Sequence, residues 1–208
     1  MAYTTIINTV RHAQSEFGVK KKYAGSIDVG LSGKGARDAL RAAKSLGRER
    51  FDIIIASTLR RAIETAELLT GKKKGIVKTG LCRERNYGVF EGKTYNEAKA
   101  VRPKVLFIRV GGDTHSVNPP GSEPFEDVRK RAEKFKRFIF KNYKGKNILV
   151  VSHMAFLQQF NGLLKGLSCI ESLAEEIPGL RLNRFTFRGN SLIDHSFVDL
   201  CRKEQVDF

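Results

Sequence analysis

No apolar run in this chain approaches the ~20 residues needed to cross a bilayer, so no membrane partner is expected. The opening Met1-Ala2-Tyr3-Thr4 lacks the basic stretch and long apolar core of a secretory leader. Cysteine is scarce and scattered. Cys82, Cys169 and Cys201 form no Cys-x-x-Cys pair, which argues against structural disulfides and fits a reducing cytoplasm. Acidic residues are outnumbered, 22 Asp plus Glu against 38 Lys plus Arg, for a formal charge of +16. A field of that sign favours anionic partners, from phosphorylated metabolites to nucleic acid. RNA-recognition aromatics, zinc-finger spacing and a basic zipper are all missing, which leaves nucleic acid a secondary idea. The lysine triplets Lys20–Lys22 and Lys72–Lys74 read as solvated loops.

Whole classes of catalytic motif are missing too. No Cys is followed six residues on by Arg, so a thiol phosphatase loop is excluded. There is no Gly-x-Ser-x-Gly elbow and no His-Glu-x-x-His zinc motif. Gly88-Val89-Phe90-Glu91-Gly92-Lys93-Thr94 imitates a nucleotide-binding loop but is one residue short between its glycines and follows no buried strand. His12 and Glu16 share one helical face with no third ligand, so no metal is expected.

What is present is an alternation. The 208 residues, 41% hydrophobic and 29% charged, suit one domain with a substantial core. Strand-like runs near 4–10, 51–56, 75–79 and 147–152 alternate with helical stretches near 34–46, 58–70, 125–143 and 154–165, followed by a helical piece near 169–176. Ala36, Leu40, Ala43 and Leu46 recur at helical spacing, as do Phe125, Val128, Ala132, Phe135 and Ile139, and both stripes read as core faces. Arg184–Arg188 and Ser191–His195 flank Gly189-Asn190 as a terminal hairpin. The pattern predicts an α/β three-layer αβα sandwich around a mainly parallel sheet. The stretch from about 81 to 124 reads as irregular, and within it residues 93–124 are too long for a simple connector and are expected to form an active-site cover.

Three of the strand-like runs end in chemistry. Thr5-Ile6-Ile7 leads to Arg11-His12, Asn147–Val151 leads to Ser152-His153, and Phe51–Ala56 leads to Arg60-Arg61. In an open α/β sheet ligands bind at the C-terminal ends of the strands. Cations and imidazoles converging there, without thiol or metal, suit phosphoryl transfer. Arginine forks match phosphate oxygens, and a neutral imidazole nitrogen can attack phosphorus. His12 is the candidate nucleophile, Arg11 and Arg61 the phosphate clamps and His153 a further donor. An acid that protonates the leaving oxygen should come from Leu81–Gly88.

Five segments in this order resemble the histidine phosphatase superfamily, in particular its cofactor-dependent phosphoglycerate mutase branch. They are Arg11-His12-Ala13-Gln14-Ser15, Tyr23–Ser32 with Gly35, Ser57–Ala66, Arg83–Gly92 and Val151-Ser152-His153. The resemblance implies a phosphohistidine on His12, with Arg11, Arg61 and His153 around the phosphate and Glu84 as the acid in preference to Glu91. It sets Arg61 over Arg60, since Ala62 follows directly, and implies no cofactor. It also places Gln14, Ser15, Gly25 and Tyr87 at the substrate. Ala13, Met154 and Phe17 depart from common family choices, and Phe17 argues against a phosphoglycerate substrate. Only 68 residues separate Glu84 from His153, fewer than in the mutases it resembles, which favours water as acceptor. Val117-Asn118-Pro119-Pro120-Gly121-Ser122-Glu123-Pro124-Phe125 resembles a loop of fructose-2,6-bisphosphatase-like members.

The expectation is therefore a phosphatase of small phosphomonoesters such as sugar phosphates or bisphosphates. The alternatives are a phosphoglycerate mutase and a non-catalytic polyanion-binding member. His115 reads as a solvated loop residue and His195 as structural, while composition leaves the oligomeric state open.

Overall fold

The computed structural model describes residues 3–201. Met1 and Ala2, part of the stretch read above for a leader, lie outside them, as do residues 202–208. The chain runs β1 (Thr4–Arg11), a one-turn α1 (Glu16–Val19), α2 (Gly33–Leu46), β2 (Ile53–Ser57), α3 (Arg60–Thr70) and β3 (Ile76–Thr79). It continues through α4 (Tyr95–Lys99), β4 (Leu106–Val110), β5 (Asp113–Val117), α5 (Phe125–Asn142), β6 (Asn147–Ser152) and α6 (Met154–Lys165). It closes on β7 (Arg181–Arg188) and β8 (Ser191–Asp199). The main sheet has the order β3-β2-β6-β1-β7-β8. The first four strands in that order are parallel, and β7 and β8 add an antiparallel edge.

The alternation of side chains along each central strand feeds two cores. Ile7, Ile55, Ile148 and Val150 point to one face, where they meet Phe135 and Ile139 of α5 and Phe156 and Phe160 of α6. Val10, Ile54, Leu149 and Val151 point to the other, against Ala39 and Ala42 of α2 and Ala62 and Ala66 of α3. A strand apolar on both faces is what a sheet covered on both sides demands. No helix among the described residues is long and apolar enough to cross a membrane.

Four readings need correction. The buried stripe of α2 is Gly35, Ala39 and Ala42, one position off from the expected Ala36-Leu40-Ala43 face, and Leu40 stands 51% exposed. The reason is a close approach: a Cβ on Gly35 would sit 2.0 Å from the Gln14 carbonyl oxygen, so the smallest residues face inward. The helical piece near 169–176 is only a 3-10 turn, Glu171–Ala174. The stretch from 81 to 124 is ordered, holding α4 and the β4–β5 hairpin, which turns at Gly111 with φ +61. Its strands pair only with each other, so neither carries the long apolar run of a buried strand. The terminal hairpin is longer than expected, reaching Arg181 and Asp199.

Gly35→Ala is expected to lower the unfolding free energy by about 1–3 kcal/mol through overpacking, whereas Leu40→Ser should stay within about 0.5 kcal/mol. Paired denaturant melts check the offset; a costlier change at Leu40 would restore the original stripe.

Candidate active site

Parallel strands end at one edge, and here that edge gathers the histidines. Arg11 of β1 pairs in register with Ser152 of β6, and the His12 amide donates to the Ser152 carbonyl at 2.9 Å. The next residues on the two strands, His12 and His153, therefore lie side by side, ring centroids 5.0 Å apart and tilted by 59°. His153 is the N-cap of α6 and Leu59 that of α3, and neither caps its helix with its own side chain; instead Asp28 accepts from Arg60 N at 2.6 Å in α3 and Glu84 from Ala155 N at 3.1 Å in α6. The two helix dipoles add positive potential to this edge.

Arg61 is the second residue of α3, with 1% of its surface exposed. Its Nη1 donates to the Ile27 carbonyl at 2.9 Å and its Nη2 to the Gly25 carbonyl at 2.8 Å, while Nε has no partner. Among the described residues it forms no direct ion pair; backbone dipoles hold it, with the carboxylates of Glu84, Asp28 and Glu91 acting from further off. Arg11 is oriented by a 2.9 Å bond from Nη1 to the Ile177 carbonyl. Burying a cation without a counter-ion is costly, and an anion of the site's own substrate is the natural complement.

These cations set the state of the imidazoles. His12 lies well below the usual histidine range, chiefly through burial and then through Arg11 and Arg61. Its Nδ1 is 2.7 Å from the Ala13 carbonyl. A carbonyl can only accept, so Nδ1 carries the proton and the neutral ring leaves a lone pair on Nε2. His153, wholly buried, is held well below its usual range first by burial and then by His12, Arg61 and Arg11. Neither of its ring nitrogens has a partner among the described residues.

Two carboxylates come near this edge with different freedom. Glu84 accepts through Oε1 from its neighbour Arg85 N at 2.9 Å and from Ala155 N, in the first turn of α6, at 3.1 Å. Its Oε2 makes no hydrogen bond among the described residues. Glu91 is fully engaged: it accepts from Ser26 N and Ser26 Oγ, each at 2.7 Å, and from Tyr87 N at 3.1 Å. It also packs under Gly25, whose φ is +48 and whose hypothetical Cβ would lie 2.1 Å from Glu91 Oε1.

Of the expected substrate contacts, Gly25 acts through its carbonyl on Arg61. Ser15 is buried and spends its hydroxyl as the N-cap of α1, accepting from Gly18 N at 3.1 Å. Gln14 is exposed and accepts from Ser32 Oγ at 3.2 Å. Tyr87 packs on Tyr23 at 5.2 Å, and burial together with nearby Glu84 pushes its hydroxyl above the usual range, keeping it a neutral donor. Arg60 lies on the surface, paired with Glu64 at 3.0 Å. His195 stacks on Phe185 at 4.5 Å. His115, expected in solvent, is instead only 7% exposed and set edge-on to Phe125, because the hairpin that carries it packs down on the body.

Two arginines escaped the sequence reading. Arg85 is fully buried, donating to the Glu123 carbonyl at 2.7 Å and the Ser116 carbonyl at 2.9 Å with its guanidinium over Phe125. Arg131 pairs with both Glu123 oxygens, at 2.7 and 2.8 Å, and reaches the Leu81 and Arg83 carbonyls at 2.9 Å. Together they tie the Glu84 segment to the hairpin and to α5. The adjacency of Arg85 to Glu84 was the available signal; nothing local marks Arg131. An open hollow of about 320 Å³ adjoins Arg11, bounded by Met154, Ile177 and the hairpin turn at Gly112 and Asp113. No group of three or more His, Cys, Asp or Glu among the described residues is placed to hold a metal ion.

A family profile described as the histidine phosphatase superfamily (branch 1) matches residues 7–195. The chain belongs to that superfamily. It is 30% identical to phosphoglycerate mutase-like protein 4 of Arabidopsis thaliana over 154 residues, 73% of this chain and 66% of that protein. It is 32% identical to phosphoserine phosphatase 1 of Hydrogenobacter thermophilus over 145 residues, 69% of this chain and 68% of that protein. A bifunctional protein of Mycobacterium tuberculosis is 35% identical over 149 residues, and there the match spans only 40% of the relative's length. The solved structure of Bacillus stearothermophilus YhfR superposes with a TM-score of 0.78 at 24% identity, covering 91% of this chain and 94% of that one. That likeness establishes the fold.

A histidine held neutral by burial charges when the chain unfolds. Its folded pKa lies below the unfolded 6.5, so the stability it contributes is present above that value and lost as pH falls below it. Buried His153 should contribute a slope of at most about 1.4 kcal/mol per pH unit in that acid range, and His153→Asn should flatten the profile measured by denaturant titration. An identical slope in the variant would show that the ring is not held neutral.

Proposed function

We propose that the chain is a metal-independent phosphatase of small phosphomonoesters working through a phosphohistidine. The observation that carries the reading is the unprotonated Nε2 of His12 set beside His153 between two guanidiniums that form no direct ion pair among the described residues. The phosphoryl group would lie between Arg11, Arg61 and His153. His12 Nε2 forms the N–P bond as the P–O bond to the alcohol breaks, and the Glu84 carboxyl gives its proton to the departing oxygen. Water then attacks phosphorus, returning a proton to Glu84 and the electron pair of the N–P bond to His12. The dipoles of α3 and α6, whose N-termini face this edge, add stabilisation as charge builds on the phosphoryl oxygens.

Residues 93–124 are read as the cover of this site. Their hairpin consists of two five-residue strands and leaves the hollow beside Arg11 open. A mutase must keep water from its phosphoenzyme, so an open mouth supports hydrolysis. The mutase reading keeps the support of the Arabidopsis relative's name, and conversion of 3- to 2-phosphoglycerate with and without the bisphosphate decides it. Loss of phosphate to water with no isomerisation is the expected result.

His12→Ala should lower turnover of any monoester by a factor of about 10³ or more in the presence of chelator. Glu84→Gln should cost about 10²–10⁴-fold on alkyl phosphates but far less on p-nitrophenyl phosphate, whose leaving group needs no proton. Equal losses on both substrates would remove Glu84 from the acid role, and undiminished turnover in His12→Ala would remove the mechanism.

A further inference from the structure

The hollow beside Arg11 has an anomaly for a chain of formal charge +16. Its walls carry Asp113, at the start of β5, and Glu176 opposite Arg181. Arg181 is already engaged, with Asp199 at 2.6 Å and Glu176 at 3.4 Å. Asp113 is half-buried and its carboxylate makes no hydrogen bond or ion pair among the described residues. Glu176 stands with 79% of its side chain exposed. The lining thus joins the Arg11 cation to the unspent Asp113 carboxylate, with Glu176 paired to Arg181 and apolar Met154, Ile177 and Pro178 completing the walls.

Surface charge spread over a whole protein steers anions toward it, but beyond about 8 Å in physiological salt it is screened. Selection among bound leaving groups falls to charges inside the hollow. A second phosphate or a carboxylate on the alcohol would meet Asp113 there, whereas an ammonium or hydroxyl would find an acceptor.

We propose that this hollow is a leaving-group subsite in which Asp113 selects phosphomonoesters of alcohols bearing a hydrogen-bond donor, above all an ammonium, and disfavours those bearing a second anionic group. The proposal rests on the phosphatase reading and narrows it, turning it away from bisphosphates.

The test is kcat/KM for phosphoethanolamine, propyl phosphate and 3-phosphoglycerate in wild type and Asp113→Asn, read as ratios within each preparation so that partial unfolding cancels. Wild type is expected to favour phosphoethanolamine over propyl phosphate about tenfold, as one charge-assisted bond allows. The ratio should fall to about one in Asp113→Asn, mostly through KM, while the 3-phosphoglycerate to propyl phosphate ratio rises. Equal ratios in the two proteins, or a wild-type preference for 3-phosphoglycerate over propyl phosphate, would overturn the subsite with the phosphatase reading intact. Absence of turnover on all three would overturn the phosphatase reading and the subsite with it.

Discussion

The fold depends at its active edge on a buried guanidinium that forms no direct ion pair among the described residues. Arg61 is held by the Gly25 and Ile27 carbonyls and has one nitrogen with no partner. Protein dipoles hold such a cation in place without cancelling it, and the loop that supplies them is itself pinned by Glu91 through Ser26. The charge then acts outward. It disfavours protonation of both neighbouring imidazoles.

The two carboxylates show how environment divides labour among identical groups. Glu91 accepts three hydrogen bonds and is committed to holding loops. Glu84 is anchored through one oxygen, at the start of α6, and its other oxygen makes no hydrogen bond among the described residues. Its backbone is fixed from behind by Arg131, whose bidentate pair with Glu123 couples that segment to α5. A fixed carboxyl with one free oxygen is a better acid than a mobile one, since orientation is provided before the reaction begins.

Most of the sheet was legible because its strands are apolar on both faces and bounded by helices with clear periodicity. The gathering of His12, Arg61 and His153 at one edge was legible because they fall where those strands and helices meet. Residues 93–124 were less so: their short strands pair only with each other, and burial of His115 depends on packing against Phe125 that no local pattern reveals. The offset of α2 was hidden for a similar reason, since Gly35 faces inward because of the approach of Gln14, a contact distant in sequence. The motif likewise does not reveal that the Ser15 hydroxyl caps a helix turn.

Membership of the superfamily and the fold are established by the comparisons; the covalent step is the account's own. The most direct measurement is to mix the protein with a labelled phosphomonoester, quench in alkali, where a phosphorus–nitrogen bond survives, and map the labelled peptide. The account predicts label on the peptide containing His12 and on no other. Label carried by a different residue, or steady turnover with no label retained on the protein at any time, would contradict it.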